Sequence, residues 1–279
     1  MNNFSDYVKE FPIFSNLINK ARELVQTKKS LSYADSDLRD LLNSSELTNL
    51  IKKCVSEIFD SSSSEPIFLH QDQILLCNDF GGLVVAIGQT KAGEASDPLY
   101  SSPGESLIGA ISSGGFQYQF QEIGENWNRE VFSPDVTLGD LRTYDCSPGR
   151  TVLVPTSKIF DYLSSGNVII KIAAPVEVGL TWEFNRRTGI AERVHASTVE
   201  ATTLSYIIKF LSVHGNEDSL HAIKNLIRHR FHYIRWDVVK AVGKVDPENL
   251  YKILKEMTVD PHPDVSNASI KMLSQLGVY

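Results

Sequence analysis

Cysteine is scarce in this chain of 279 residues. Cys54, Cys77 and Cys146 are odd in number and far apart, with no CxxC pair and no zinc spacing. A disulfide framework is therefore excluded, and three thiols in a reducing compartment are expected. Long hydrophobic runs are lacking too: none approaches the ~18 apolar residues of a membrane span. The start, MNNFSDYVKEF, has neither the basic opening nor the apolar centre of an export signal. A cytoplasmic protein with no membrane partner is expected. Positive charge is in deficit, with 27 basic against 34 acidic side chains and a net charge of -7, which argues against nucleic acid as a partner. Signatures of catalysis and of cofactors are missing as well. No serine sits in GxSxG. The pairs Gly81-Gly82 and Gly114-Gly115 precede neither GK[ST] nor a helix-opening GxGxxG, so they read as turn and bulge residues.

What is present belongs to an ordinary folded protein, 42% hydrophobic and 22% charged, and its texture changes twice. Residues 1–64 are helical in pattern. Leu17, Ile18, Ala21, Leu24 and Val25 make one apolar face over Phe14 to Gln26, with Ser15 as its expected cap. Leu38, Leu41 and Leu42 mark a second helix from near Asp35, and Leu47, Leu50, Ile51, Cys54, Val55, Ile58 and Phe59 a third over Glu46 to Phe59. The serine run Ser61 to Ser64, followed by Glu65 and Pro66, predicts a boundary.

Residues 65–190 replace helical periodicity with short runs rich in Val, Ile, Phe and Tyr between turn formers. Strands are expected at Ile67 to Leu69, Gln73 to Cys77, Leu83 to Gly88, Leu107 to Ile111, Gly115 to Glu122, Glu130 to Phe132, Arg150 to Pro155, Asn167 to Ala173 and Val176 to Phe184. In GFQYQFQE, Phe116, Tyr118 and Phe120 alternate with glutamines, the period-two pattern of a strand with one buried face. Many short strands predict an antiparallel barrel or sandwich. The polar stretch Gln89 to Glu105 reads as a long loop, mobile or covering a pocket mouth.

Residues 195–279 return to helices, five in about 80 residues, at Glu200 to Val213, Asp218 to Ile227, Tyr233 to Val245, Pro247 to Met257 and Val265 to Leu276. Laying His229 on Asp260, an offset of about 31 residues, pairs Ile234 with Val265, Val239 with Ile270 and Val242 with Leu273. Stacked helical repeats are the reading. The predicted fold class is thus α+β: N-terminal helices, a central antiparallel β-barrel or sandwich, and C-terminal helical repeats.

Two resemblances sharpen this. The stretch DPHPDVSNASIKMLSQL resembles the HEAT-repeat pattern of an Asp-Pro turn ahead of an Ala-rich second helix, and Tyr233, Ile234, Arg235 and Trp236 occupy the same place one unit earlier. Ser266 stands where that family usually has Arg. The resemblance implies a helical surface for a protein partner or for self-association, with Arg230, Tyr233, Arg235 and Trp236 as candidate partner-binding residues. The strand order of the middle segment resembles a cupin, two short sheets around a pocket able to take a small-molecule ligand. The HxH motif of a metal-binding cupin is absent, since no histidine lies between His70 and His195. His70 and Asp72 match the HxD half of an iron-oxygenase site and are the candidate metal ligands, although the same residues also spell a turn between strands. His229 and His232, with Asp260 or His262 from the next repeat, form a second possible metal set. The functional expectation is a non-catalytic binding or accessory protein using repeat and barrel surfaces. The alternative is a cupin-like enzyme, oxidative or isomerising, with its pocket in the barrel.

Overall fold

The computed structural model describes residues 10–59, 69–70, 73–78, 81–111 and 113–277. The chain forms two compact units. One comprises residues 1–127, 134–177 and 182–193, and the other residues 128–133, 178–181 and 194–279. The N-terminal helices and most of the β-strands thus share one unit, and parts of the last two strands belong to the other.

In the first unit, helices α1 (Pro12–Gln26), α2 (Asp35–Leu42) and α3 (Ser45–Phe59) precede the strands, with a 3-10 turn at Leu31–Ala34. Pro12 suits the first turn of α1, where no backbone donor is needed. The expected Ser15 cap is not used. The free amides of Ile13 and Phe14 donate instead to the Glu46 carboxylate, at 3.1 and 2.7 Å, so a side chain 32 residues away satisfies the helix end.

The strands are β1 (Leu69–His70), β2 (Gln73–Asn78), β3 (Val84–Gln89), β4 (Leu99–Tyr100), β5 (Ser106–Ala110), β6 (Phe116–Ile123), β7 (Leu138–Cys146), β8 (Thr151–Val154), β9 (Lys158–Tyr162), β10 (Val168–Ala173), β11 (Leu180–Phe184) and β12 (Ala191–Ala196). They build a six-stranded sheet in the order β1-β2-β3-β10-β5-β8 and two three-stranded sheets, β12-β11-β4 and β7-β6-β9. Every pairing resolved between strands is antiparallel, and Ser101 bridges Ile159 at the start of β9. Gly115 turns the chain into β6 with φ +63°, where a Cβ would lie 2.1 Å from the Cys146 carbonyl oxygen, so only glycine fits.

The six-stranded sheet is buried on both faces. Val85, Ile87, Leu107, Ile170 and Ile172 point to the helices and pack with Phe14, Leu17, Ile18, Leu38, Leu41 and Leu50. Their alternates Ile108, Ala110, Val152, Val154 and Ile169 pack with Phe116, Tyr118, Phe120, Phe160 and Tyr162 of the β7-β6-β9 sheet. Each large aliphatic chain so buried contributes about 1.5–3 kcal/mol.

Several sequence expectations are corrected. Glu130 to Phe132 is no strand: the Glu130 carbonyl and carboxylate are taken by His262 Nε2 and the Gly179 amide, both at 2.8 Å, instead of by a ladder. Val176 to Phe184 is strand only from Leu180. The loop Gln89 to Glu105 contains β4. Strands β7, β9 and β12 were not foreseen. Seven of the nine residues of β7 are exposed, so no apolar alternation betrays it. The expected strand residues Ile67 and Phe68 lie outside the described residues.

The second unit carries α4 (Val199–His214), α5 (Glu217–Lys224), a 3-10 turn (Asn225–Arg228), α6 (His232–Val245), α7 (Pro247–Met257) and α8 (Pro263–Gln275). One core joins Ala201, Ile208, Ile223, Phe231, Ile234, Val238 and Val242, and another joins Val239, Leu254, Met257, Val265 and Leu273. Helices α6 and α8 begin at equivalent points of the 31-residue pattern, with Phe231 and His262 as N-caps. Two of the three aligned apolar pairs are buried on both sides, but Ile270 is exposed where Val239 is fully buried. Ile207, expected on the inner face of α4, is exposed as well.

Candidate functional site

Strand β10 places a lysine among the apolar side chains of the β unit. In VIIKIA, Val168, Ile170 and Ile172 face the helices, and the alternation turns Ile169, Lys171 and Ala173 to the opposite side. Lys171 is flanked across the sheet by Ala86 of β3 and Ile108 of β5, so neither neighbouring strand offers it a counter-charge. Its ammonium lines a cavity of about 160 Å³ with Tyr100, Ser102, Ser106, Ile108, Val154, Phe160 and Tyr162. Among the described residues Lys171 makes no hydrogen bond and no ion pair, and the Ser106 and Tyr162 hydroxyls have no hydrogen-bond partner either. Burial pushes the Lys171 amine down from the usual lysine range, because losing water disfavours the charged form. Burial likewise pushes the Tyr162 hydroxyl far up, helped by Cys146, so it holds its proton.

The mouth is differently arranged. Tyr100 pairs across the strands with Glu183, is about half exposed, and has its hydroxyl pushed up by desolvation and by the charge and hydrogen bond of Glu183. Glu183, 2% exposed, accepts from Arg193 at 2.7 Å. Phe160 and Tyr162 meet edge to face with centroids 4.8 Å apart, which holds the wall opposite Lys171. A larger hollow of about 350 Å³ lies at Gly114–Phe116 and Cys146–Pro148. Its polar groups satisfy one another: Gln117 donates to Asp145 at 2.9 Å and Asn167 to Ser164 at 3.0 Å. It presents less unmet chemistry than the smaller cavity.

In the helical unit, the histidine set named from the sequence is brought together in part. His232 and His262 stack with centroids 3.5 Å apart, and with Asp264 they are the sole group of three ligating side chains within reach of one ion among the described residues. The nitrogens of His262 are already engaged. Nδ1 accepts from the Asp264 amide at 3.2 Å as the N-cap of α8, and Nε2 faces the Glu130 carbonyl oxygen at 2.8 Å. This bonding sets the Nε2-H tautomer and leaves His262 no lone pair for a metal. His232 Nδ1 lies 3.6 Å from the Glu130 carboxylate. Desolvation pushes Glu130 up, but the bonds from His232 and Gly179 outweigh it, leaving Glu130 below the usual range.

The candidate partner-binding residues are divided by the fold. Arg235 is buried and makes four hydrogen bonds, to both Asp260 oxygens at 2.7 and 2.6 Å and to the carbonyls of His229 and Arg230 at 2.8 and 3.2 Å. Trp236 packs in the second helical core. Tyr233 lies against the first, its hydroxyl buried without a partner among the described residues and pushed up by desolvation to about 12. Arg230 is exposed and lies 4.4 Å over the Phe231 ring. Of the candidate metal pair, Asp72 lies outside the described residues, and His70 is placed only by its backbone in β1. Among the described residues the faces of the β unit bring no three metal-ligating side chains together, so no step is drawn through a metal there. Sequence reasoning passed over Lys171, although the charge in the middle of an otherwise apolar strand was its visible mark.

No helix of the described residues is long and apolar enough to cross a membrane. No family model matches the sequence, and no curated protein matches it. Among solved structures, a hydroquinone 1,2-dioxygenase from Sphingomonas sp. TTNP3 is 11% identical, with 43% of this chain and 74% of that one covered at a TM-score of 0.26. A cupin-like protein from Thermotoga maritima is 15% identical over 49% of this chain and 93% of its own, at 0.25. A hydroxypropylphosphonic acid epoxidase from S. wedmorenis is 12% identical over 58% and 96%, at 0.23. The chain is an α+β protein with N-terminal helices, central antiparallel sheets and C-terminal helices.

Proposed function

We propose that this protein is a non-catalytic binding protein whose β unit holds a small, short-chain molecule bearing an oxygen acceptor. The observation that carries the reading is the meeting on one small cavity of the side chains of Lys171, Ser106 and Tyr162, which have no hydrogen-bond partner among the described residues. These groups line the cavity with hydrogen-bonding capacity that a ligand oxygen can take up. The volume corresponds to roughly five waters, which limits the occupant to a few heavy atoms. The apolar wall of Ile108, Val154 and Phe160 suits a short carbon chain. In the same reading the HEAT-like helices offer a surface to a protein partner, with exposed Arg230 as a contact residue and Arg235 and Trp236 holding the repeats in shape.

Calorimetric titration with propionamide, propionate and propanal tests this. At least one is expected to bind saturably, and Lys171→Met is expected to weaken that binding at least tenfold, about 1.4 kcal/mol. If none binds, or if Lys171→Met binds as tightly as the parent, the reading is wrong.

A further inference from the structure

We infer that Lys171 captures its ligand covalently and reversibly, its amine condensing with a small aldehyde or ketone to form an imine. The inference rests on the binding reading above and deepens it by naming the ligand class.

Three features support it. First, the amine faces a cavity with no carboxylate in its lining and no ion pair on Nζ, so its lone pair is not committed to a partner. Second, its surroundings favour the neutral nucleophile: Ala86 and Ile108 flank it, and burial lowers its pKa. A lysine desolvated in an apolar pocket is one of the ways in which amines are activated toward carbonyls. Third, the wall carries hydroxyls for the carbonyl oxygen. Ser106 is 5% exposed and Tyr162 remains protonated, and neither has a partner among the described residues.

The chemistry balances without a co-reactant. The Nζ lone pair attacks the carbonyl carbon, a C–N bond forms, and the C=O π electrons move to oxygen, which takes up a proton to give a carbinolamine. Nitrogen loses its protons, the hydroxyl leaves as water, and a C=N bond remains. Amine and carbonyl become imine and water with no change of oxidation state. The lining holds no second cation besides Lys171, so once the amine is used a carboxylate would have no counter-charge. The geometry therefore favours a neutral aldehyde or ketone over an oxo acid.

Reductive trapping tests the inference on the full chain. The protein is incubated with propanal and cyanoborohydride, digested, and the alkylation rate of each lysine followed by mass spectrometry. An amine whose pKa is lowered is neutral for a larger share of the time at a given pH, so Lys171 is expected to react faster than the exposed Lys252 and Lys255. Excess propionamide is expected to slow Lys171 and not the exposed lysines. Lys171→Arg keeps a donor at the site and is expected to retain propionamide binding while the fast trapping disappears. Alkylation of Lys171 at or below the rate of Lys252, with calorimetric binding intact, overturns the imine and leaves the pocket. Absence of both trapping and binding overturns both.

Discussion

Arg235 of the helical unit and the half-buried Lys171 of the β unit are cations in opposite surroundings. Arg235 of the helical unit is fully matched, with both Asp260 oxygens and two backbone carbonyls around its guanidinium. Among the described residues Lys171 of the β unit has no such partners, with Ala86 and Ile108 beside it on the neighbouring strands. A buried charge with a complete set of partners is a device of structure, and the planar fork of arginine suits such a bidentate site. A desolvated charge without partners lowers stability. The contrast places Arg235 in the architecture of the helical unit and motivates the ligand role proposed for Lys171.

The largest test of that contrast is Arg235→Met. It leaves Asp260, whose side chain is 2% exposed, without its counter-ion, and unfolding titration is expected to show a loss of about 3–5 kcal/mol. A loss under 1 kcal/mol would show that the pair is not structural. Lys171→Met should move stability the other way, by about 1–3 kcal/mol upward, since it replaces an unpaired ammonium with an apolar chain of similar length. A clear loss on that substitution would mean that Lys171 has a structural partner.

The dependence on pH sharpens the same comparison. The folded pKa of Lys171 lies below its unfolded value, so its penalty is full at low pH and relieved as pH rises through the folded pKa. The stability advantage of Lys171→Met is therefore expected to shrink between neutral pH and about 10.4, and a constant gap contradicts the lowered amine. The carboxylates of the helical unit behave oppositely. For Asp260 desolvation is outweighed by the Arg235 and His262 hydrogen bonds, and Glu130 is also lowered. Their contribution is present above the unfolded carboxylate range and is lost as pH falls through the lowered values, so Asp260→Asn is expected to flatten the acid limb of the unfolding curve. The smallest effect expected is at Glu46. Glu46→Gln weakens the bonds to the α1 amides and is expected to cost about 0.5–1 kcal/mol in denaturant unfolding.

Much of the architecture is legible where one face of an element is apolar. The helices containing Leu17 to Leu24 and Leu250 to Leu254, and the strand of Phe116, Tyr118 and Phe120, are found where periodicity places them. Elements without that contrast escape: β7 is exposed on both faces, and β4 is two residues inside a polar stretch. The candidate site was legible only as an anomaly. A lysine inside VIIKIA breaks a strand whose other positions are apolar, a weaker signature than HxD or paired histidines because no spacing motif accompanies it. Among the partner candidates, Arg235 and Arg230 look alike in sequence, and only the fold buries one and exposes the other.

The sequence by itself determined the succession of helices, short strands and helices, because local periodicity and turn residues act within a few positions of the chain. It also determined the 31-residue echo that places the starts of α6 and α8. Tertiary structure alone decided that Glu46 caps α1, that His262 settles against His232 with its lone pair spent, and that Lys171 faces a cavity with Ser106 and Tyr162. Apart from Lys171 and Tyr162, these are contacts between residues 30 or more positions apart. Their partners are selected by the packing of whole sheets and helices, and no short-range pattern records them.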